Sequence, residues 1–377
     1  MQKFKKILKK SFMILGSLLL LCITGIVLFI YLSPEFGGSP TKEHKAILVK
    51  SPNYRDGKFV NLENVELDMG FRNMGKSIMG MLRPDPQSVP ARPLPLQRID
   101  SVDVARYEEG TRLIWFGHST FLLQMEGRNI LIDPMFGKLP APHPILGTNR
   151  FSKELPIELE KLPQIDAVIL SHDHYDHLDY GSIQRLKGKV KMFYTPLGVG
   201  AHLLEWGIAK ERIIELDWWQ EATFGELQFI CTPAQHFSGR GPGDRGHTLW
   251  GSWVIRSASE NIFFSGDSGY GPHFKEIGKA YGPFDLALME CGQYNELWHA
   301  IHMYPEETAQ ASMDVGAKKV VPIHWGAFKL AMHTWNDPIM RLTKSAKTLG
   351  IDLHVPQIGE PIHPKIDQEP KAPWWLN

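Results

Sequence analysis

Four side chains suited to metal coordination stand within six residues of one another in the run Ser171-His172-Asp173-His174-Tyr175-Asp176-His177-Leu178-Asp179. His172, His174 and Asp176 alternate, so on an extended backbone leaving a strand they point to one side, and His177 follows at a turn beside them. Imidazole nitrogens and a carboxylate suit a borderline cation such as zinc. Four such ligands in one loop exceed what a single structural ion draws from one segment, so two ions are expected. The bland alternative is a solvated polar loop.

The remaining ligands are sought where other apolar runs end in His or Asp beside a small or turn-forming residue. Leu227-Gln228-Phe229-Ile230-Cys231-Thr232-Pro233-Ala234-Gln235-His236 is one. Ile262-Phe263-Phe264-Ser265-Gly266-Asp267-Ser268-Gly269 is a second, where flanking glycines let the backbone turn sharply and aim a carboxylate off the strand tip. Val320-Val321-Pro322-Ile323-His324-Trp325-Gly326 is the third. Each alone reads as readily as a turn or a satisfied core residue; their order after the first nest is what makes a constellation.

That order, His-x-His-x-Asp-His, then His, Asp and His, resembles the metallo-β-lactamase superfamily. The resemblance implies an α/β fold, the αββα sandwich of two mixed β-sheets with helices outside, and a site holding two Zn2+ or similar divalent ions. It puts His172, His174 and His236 on one ion, Asp176, His177 and His324 on the other, and Asp267 between them as a bridging carboxylate with a catalytic role. Aspartate rather than cysteine at 267 separates the chain from true β-lactamases, and histidine rather than glutamate at 174 argues against the di-iron redox branch.

Within the superfamily, Trp115-Phe116-Gly117-His118-Ser119-Thr120, Ile130-Leu131-Ile132-Asp133-Pro134, Leu216-Asp217-Trp218-Trp219, Leu249-Trp250-Gly251-Ser252-Trp253 and Gly282-Pro283-Phe284-Asp285-Leu286 are similar to the branch of N-acylphosphatidylethanolamine-hydrolysing phospholipase D and its bacterial relatives. The similarity covers roughly residues 50 to 360 and implies a hydroxide between the ions attacking phosphorus. His118, Asp133 and Asp173 are the candidates for orienting the ligands from behind, and His302 for approaching the leaving group. Arg240, Arg245 and His247, in the glycine-rich loop after His236, could meet a phosphate, although no Gly-Lys-Ser/Thr phosphate cradle is present. Trp218 and Trp219 are amphipathic enough to line an acyl-chain groove, with core packing as the alternative.

The N-terminus carries a different signal. Phe12 to Leu32 holds 21 residues without a charge, long enough to span a bilayer. That exceeds the core of an ordinary cleaved signal peptide, and no small-residue cleavage motif follows. Lys3, Lys5, Lys6, Lys9 and Lys10 before it place that end in the cytoplasm and the body across the membrane. Lys+Arg and Asp+Glu both total 41, so without these five lysines the body has 36 basic against 41 acidic residues, a balance that argues against nucleic acid as a partner. Of the three cysteines, Cys22 lies in the apolar stretch, and nothing in the sequence pairs Cys231 with Cys291.

The expected organisation is a membrane anchor over 1–34, a linker over 35–105 packing on the catalytic domain, a metallo-hydrolase domain over 106–365 and a tail over 366–377. In the linker, Phe71, Met74, Ile78 and Met81 recur at helical spacing. Arg112 to Gln124 and Asn129 to Asp133 are expected to form one hairpin, Ala167 to Leu170 a strand covered on both faces, and Pro305 to Val315 a helix. The reading that unites these features is a membrane-bound phosphodiesterase acting on an N-acylated phosphatidylethanolamine or related lipid, compatible with a homodimer. A hydrolase of carboxylic esters or lactones, and a non-catalytic membrane sensor of the same fold, are the alternatives.

Overall fold

Short strands of consecutive apolar residues give a sheet two apolar faces, and here both faces of both sheets are covered. A computed structural model describes residues 2–65, 75, 79, 80, 83–366 and 372–376. The stripe Phe71, Met74, Ile78 and Met81 lies outside them. The strands, in chain order, are β1 (Tyr54–Arg55), β2 (Lys58–Phe59), β3 (Arg112–Trp115), β4 (Phe121–Met125), β5 (Arg128–Ile132), β6 (Ile165–Ile169), β7 (Val190–Pro196), β8 (Ile213–Leu216), β9 (Glu221–Phe224), β10 (Leu227–Thr232), β11 (Ser252–Arg256), β12 (Asn261–Phe264), β13 (Leu286–Glu290), β14 (Val320–Ile323) and β15 (Pro361–Ile362). One sheet has seven strands in the order β15-β3-β4-β5-β6-β7-β8, and the other has six in the order β14-β13-β12-β11-β10-β9. Each is mixed: β5 to β8 run parallel, as do β12 to β14, and the remaining pairs are antiparallel.

Alternation sorts the core. Leu113, Trp115, Phe121, Leu123, Ile130 and Ile132 face inward and pack with Phe229, Cys231, Trp253, Phe264 and Leu288 of the opposite sheet. The residues between them, Ile114, Leu122 and Leu131, face outward onto Ile183, Leu186 and Leu203 of the helices Tyr180–Leu186 and Gly200–Glu205. On the far side, Ile230, Val254, Phe263 and Ala287 are covered by Phe274, Ile277 and Ala311 from the helices His273–Tyr281 and Pro305–Asp314. The result is the αββα sandwich.

The single hairpin expected over Arg112 to Asp133 is two. The chain turns at Phe116 to Thr120, where Gly117 and His118 have φ of 88° and 56°, so β3 and β4 are separate strands before β4 pairs with β5. Small and polar residues in Gly117-His118-Ser119-Thr120 break the apolar alternation at that point. Cys22, Cys231 and Cys291 are all free.

Ahead of the sandwich, Gln2–Leu32 is one helix of 31 residues, none of them buried, long and apolar enough to cross a membrane. A single residue, Ser33, separates it from a 3-10 turn at Pro34–Phe36. That turn is fastened to the body. Trp206 Nε1 donates to the Pro34 carbonyl at 2.8 Å, and the Arg240 guanidinium donates twice to the Glu35 carbonyl, at 2.9 and 2.6 Å. Phe36 packs edge-on against Tyr175.

Candidate metal centre

Loops leaving the C-terminal ends of strands in both sheets meet at one edge of the sandwich. Asp133 follows β5, His172 to His177 follow β6, His236 follows β10, Asp267 follows β12 and His324 follows β14. The turn before Asp267 needs glycine: Gly266 has φ +56°, and a Cβ there would stand 2.8 Å from the Gly251 carbonyl oxygen. His118, Asp133 and His324 adopt left-handed backbone without being glycine, at φ 56°, 39° and 64°. Each such conformation costs about 1–3 kcal/mol and persists only where its surroundings hold it. Three of the seven non-glycine residues with positive φ among the described residues are thus at this edge.

Seven residues expected as ligands come together, in two groups. His172 Nε2 lies 2.8 Å from His174 Nδ1, which lies 3.2 Å from His236 Nε2, and Asp267 Oδ2 is 3.9 Å from both His172 Nε2 and His236 Nε2. In the other group His177, His324, Asp176 and His118 share a pocket in which every member is buried. Asp267 reaches this group too, with Oδ2 at 3.1 Å from His177 Nε2 and Oδ1 at 3.0 Å from His324 Nδ1. Asp267 therefore stands between the groups.

The residues fit a pair of cations. His236 donates from Nδ1 to the Ile301 carbonyl at 3.1 Å, which leaves the Nε2 lone pair aimed at the other two imidazoles. Three ring nitrogens facing one another at these separations approach the roughly 3.3 Å spacing that tetrahedral zinc imposes with Zn–N bonds of about 2.0–2.1 Å. On the second side, His177 Nε2, His324 Nδ1 and Asp267 Oδ1 are buried and make no hydrogen bond among the described residues. Burial, then the charge of His177, pushes His172 well below its ordinary pKa, so its imidazole is neutral as a ligand must be. Burial disfavours charge on Asp267, but His177 and His324 outweigh it and hold the carboxyl well below the usual range. Around His177 burial is likewise overcome, by Asp267, Asp176 and Asp133. Such a concentration of carboxylates demands positive charge at that point.

The supports behind the ligands are specific. Asp133 Oδ2 accepts from His177 Nδ1 at 2.6 Å and from Ser171 Oγ at 2.6 Å, while its Oδ1 accepts from Ser171 N at 2.7 Å. Ser171 Oγ is also 2.9 Å from His172 Nδ1, so one serine serves both histidines. His118 Nε2 donates to Asp176 Oδ2 at 2.8 Å, its ring 4.3 Å from that of His324. His302 lies parallel to His324 at 5.2 Å and is backed by the buried Glu290 through a short hydrogen bond from Nδ1. Burial opposes charge on His302, and the Glu290 carboxylate outweighs it, so its pKa lies above the ordinary value. Glu290 itself is pushed up to about 7 by burial.

Several expected contacts sit elsewhere. The Asp173 carboxylate touches no ligand; it accepts from Gly239 N and Thr248 Oγ1 at 2.8 Å each and pairs with His202 at 3.2 Å, tying the histidine loop to the glycine-rich one. Arg240 is buried, and besides gripping Glu35 its Nη1 donates to the Asp173 and Leu178 carbonyls, so each of its three nitrogens is engaged by a backbone carbonyl and it braces the chain instead of facing the site. Trp218 is in the core, its indole donating to the Trp250 carbonyl, and Trp219 stacks on Tyr281 beyond the site. His247 lines a separate cavity at the end of the N-terminal helix. Arg245 does reach the site's approach: with Phe59, Asn61, Phe237 and Trp250 it lines a cavity of about 600 Å³ that ends on His236, and its guanidinium lies 3.8 Å above the Phe237 ring. Glu290 ends an apolar run of the same form, Leu286-Ala287-Leu288-Met289-Glu290, with glutamate where the other strand ends carry His or Asp, and nothing beside it in sequence marks its pairing with His302.

The beta-lactamase superfamily domain matches residues 128–325, which spans more than half of the chain and carries every ligand candidate. The chain belongs to the metallo-β-lactamase superfamily. It is a metal-dependent hydrolase of that superfamily, in the branch similar to N-acylphosphatidylethanolamine-hydrolysing phospholipase D. An uncharacterised protein of Mycobacterium tuberculosis is 40% identical over 349 residues, covering 91% of this chain and 92% of its own length. N-acyl-phosphatidylethanolamine-hydrolyzing phospholipase D 1 of Caenorhabditis elegans is 33% identical over 250 residues, 63% of this chain and 69% of that protein. A solved metallo-hydrolase of the archaeon Ignicoccus hospitalis shares the fold, with a TM-score of 0.51 at 23% identity over 67% of this chain and 97% of the other.

Proposed function

We propose that this chain is a membrane-anchored, two-zinc phosphodiesterase of phospholipase D type, cleaving the bond between phosphate and the head group of an N-acylated phosphatidylethanolamine or a related lipid. The observation that carries the reading is the position of Asp267 within reach of both histidine groups. Two divalent ions held there would lower the pKa of water and polarise the phosphoryl oxygen. The chain's own residues do the rest. Asp133 and the Ile301 carbonyl fix which nitrogen of His177 and His236 faces inward. His302, with Nδ1 held by Glu290, presents its other nitrogen beside His324 and can hand a proton to the departing head-group oxygen. The similarity to the nematode phospholipase and the exposed apolar helix support a lipid as the substrate.

Purified full-length chain, given vesicles of N-acylated phosphatidylethanolamine in water labelled with heavy oxygen, should release unlabelled N-acylethanolamine and labelled phosphatidic acid. Label in a free fatty acid would make it an ester hydrolase. Turnover of lactones or soluble esters alone would discard the lipase assignment.

A further inference from the structure

His236 stands four residues past the end of β10, beyond the last pairs of that strand with its neighbours, Thr232 with Ser252 of β11 and Ile230 with Glu221 of β9. One side of this segment is held by the Asp267 loop: Gln235 N donates to Ser268 Oγ, and Gly269 N to the Gln235 carbonyl, at 2.9 Å each. The other side is held from far away in sequence. Asn61 Nδ2 donates to the His236 carbonyl at 2.9 Å, and His236 N donates to Asn61 Oδ1 at 3.0 Å. A side-chain amide thus takes the place of an adjacent strand. Trp250 Nε1 donates to the same Oδ1 at 3.2 Å, and Asn61 is presented by an arm that is itself fastened, with Phe59 N donating to the Gly246 carbonyl at 2.7 Å and Val60 N to the Asn53 carbonyl at 2.9 Å.

We propose that Asn61 is a positioning residue for His236, and that the N-terminal arm is thereby a working part of the metal centre although it lies outside the superfamily segment at 128–325. The proposal rests on the reading of the two side-chain groups as a metal centre. With its ring tied to Ile301 and its peptide gripped on both sides, His236 can place Nε2 in one position, and the Asn61 pair supplies one of those grips. Asparagine is the residue this requires. Aspartate would keep the acceptor but turn an anionic oxygen against the His236 carbonyl, glutamine would reach one bond too far, and alanine would offer neither group.

The test uses full-length chain in detergent, stripped of metal and titrated with Zn2+ against a chromophoric chelator, and in parallel with Co2+ read by its visible spectrum. In Asn61→Ala, one of two Zn2+ should bind about 10–100-fold more weakly, the range for loss of a group that orients a ligand. The other should stay within about twofold, and the Co2+ bands of the weakened site should move. Asn61→Asp, which has the same length, keeps the acceptor for His236 N and loses the donor, should also weaken that one site and serves if the alanine variant does not fold. Val60→Ala, a neighbour in the arm that makes no side-chain bond to His236, should match the parent. Parental affinity at both sites in Asn61→Ala with an unchanged Co2+ spectrum would overturn the proposal, whatever the melting temperature. So would equal weakening at both sites, which marks general loosening. Parent chain that takes up neither ion would overturn the metal reading and this inference with it, whereas a parent that binds two ions but spares phospholipids would sink only the substrate assignment.

Discussion

Asp133 and His177 are 44 residues apart in the chain and 2.6 Å apart in the fold, carboxylate oxygen to Nδ1, with both side chains fully buried. This one contact would set which nitrogen of His177 meets an ion: Nδ1 keeps the proton it donates to Asp133, so the nitrogen toward Asp267 is the one that would give up its proton to a metal. Asp133→Asn keeps the shape but offers an amide that can present either face, so the tautomer is no longer imposed. Turnover and the affinity of the ion on that side are expected to drop about 10–100-fold.

Asp267→Asn should be much more damaging than Asp133→Asn, since it neutralises the carboxylate that both groups share. Metal analysis of the purified protein is expected to fall from close to two ions per chain to one or fewer, with turnover depressed below the Asp133→Asn level. Equal, mild effects at both positions would show that Asp267 is not between two ions.

His302→Gln is expected to slow substrates with a poor alcohol leaving group far more than nitrophenyl diesters, whose leaving group needs no proton. General acid catalysis is worth about 10²–10⁴-fold, so the ratio between the two substrate types should shift by a value in that range. Glu290→Gln should shift the ratio in the same direction. An unchanged ratio in both variants would remove His302 from proton transfer.

Arg240→Met should destabilise the chain on the order of 3 kcal/mol, because it strips the Asp173, Leu178 and Glu35 carbonyls of a buried donor. Arg240→Lys, a point donor in place of a fork, should recover only part of this. Denaturant titration measures the loss. A shift under about 0.5 kcal/mol, the scale of an ordinary surface change, would contradict the bracing role.

His273 is buried against Phe274, and burial pushes its pKa down to about 3. Below about pH 6.5 the unfolded chain takes up a proton there that the folded chain refuses until about pH 3, so folding stability falls as pH drops through that window. Replacing His273 by Gln should make the decline shallower by up to one proton, about 1.4 kcal/mol per pH unit. Unfolding curves of the metal-free chain between pH 7 and 4 would show it; parallel slopes in parent and variant would refute it.

Sequence reading went furthest where the signal is local. His172, His174, Asp176 and His177 lie in one loop, and His236, Asp267 and His324 each end an apolar run, so composition over a few residues suffices to find them. Asp133 ends β5 in the same way. The roles that escaped depend on partners distant in the chain. Arg240 looks like a phosphate-binding residue until its partner, the carbonyl of Glu35, is seen, and Asn61 has nothing beside it in sequence to mark its hold on His236. Trp218 and Trp219 are adjacent with opposite fates, one in the core and one on the surface against Tyr281, because the chain bends between β8 and β9, where Trp219 has φ 69°. Residue type alone does not carry that bend.

The single residue between the apolar helix and the turn pinned by Arg240 and Trp206 has a further meaning for a protein inserted by that helix. A catalytic body on a long leash explores a hemisphere; on the proposed reading this one would be held at a fixed height and tilt, and would meet a lipid substrate by sliding with it in the plane of the bilayer. Encounter rate is then governed by the number of substrate molecules per unit of surface and by lateral diffusion, so diluting the vesicles leaves the rate per enzyme untouched while diluting the substrate among other lipids lowers it.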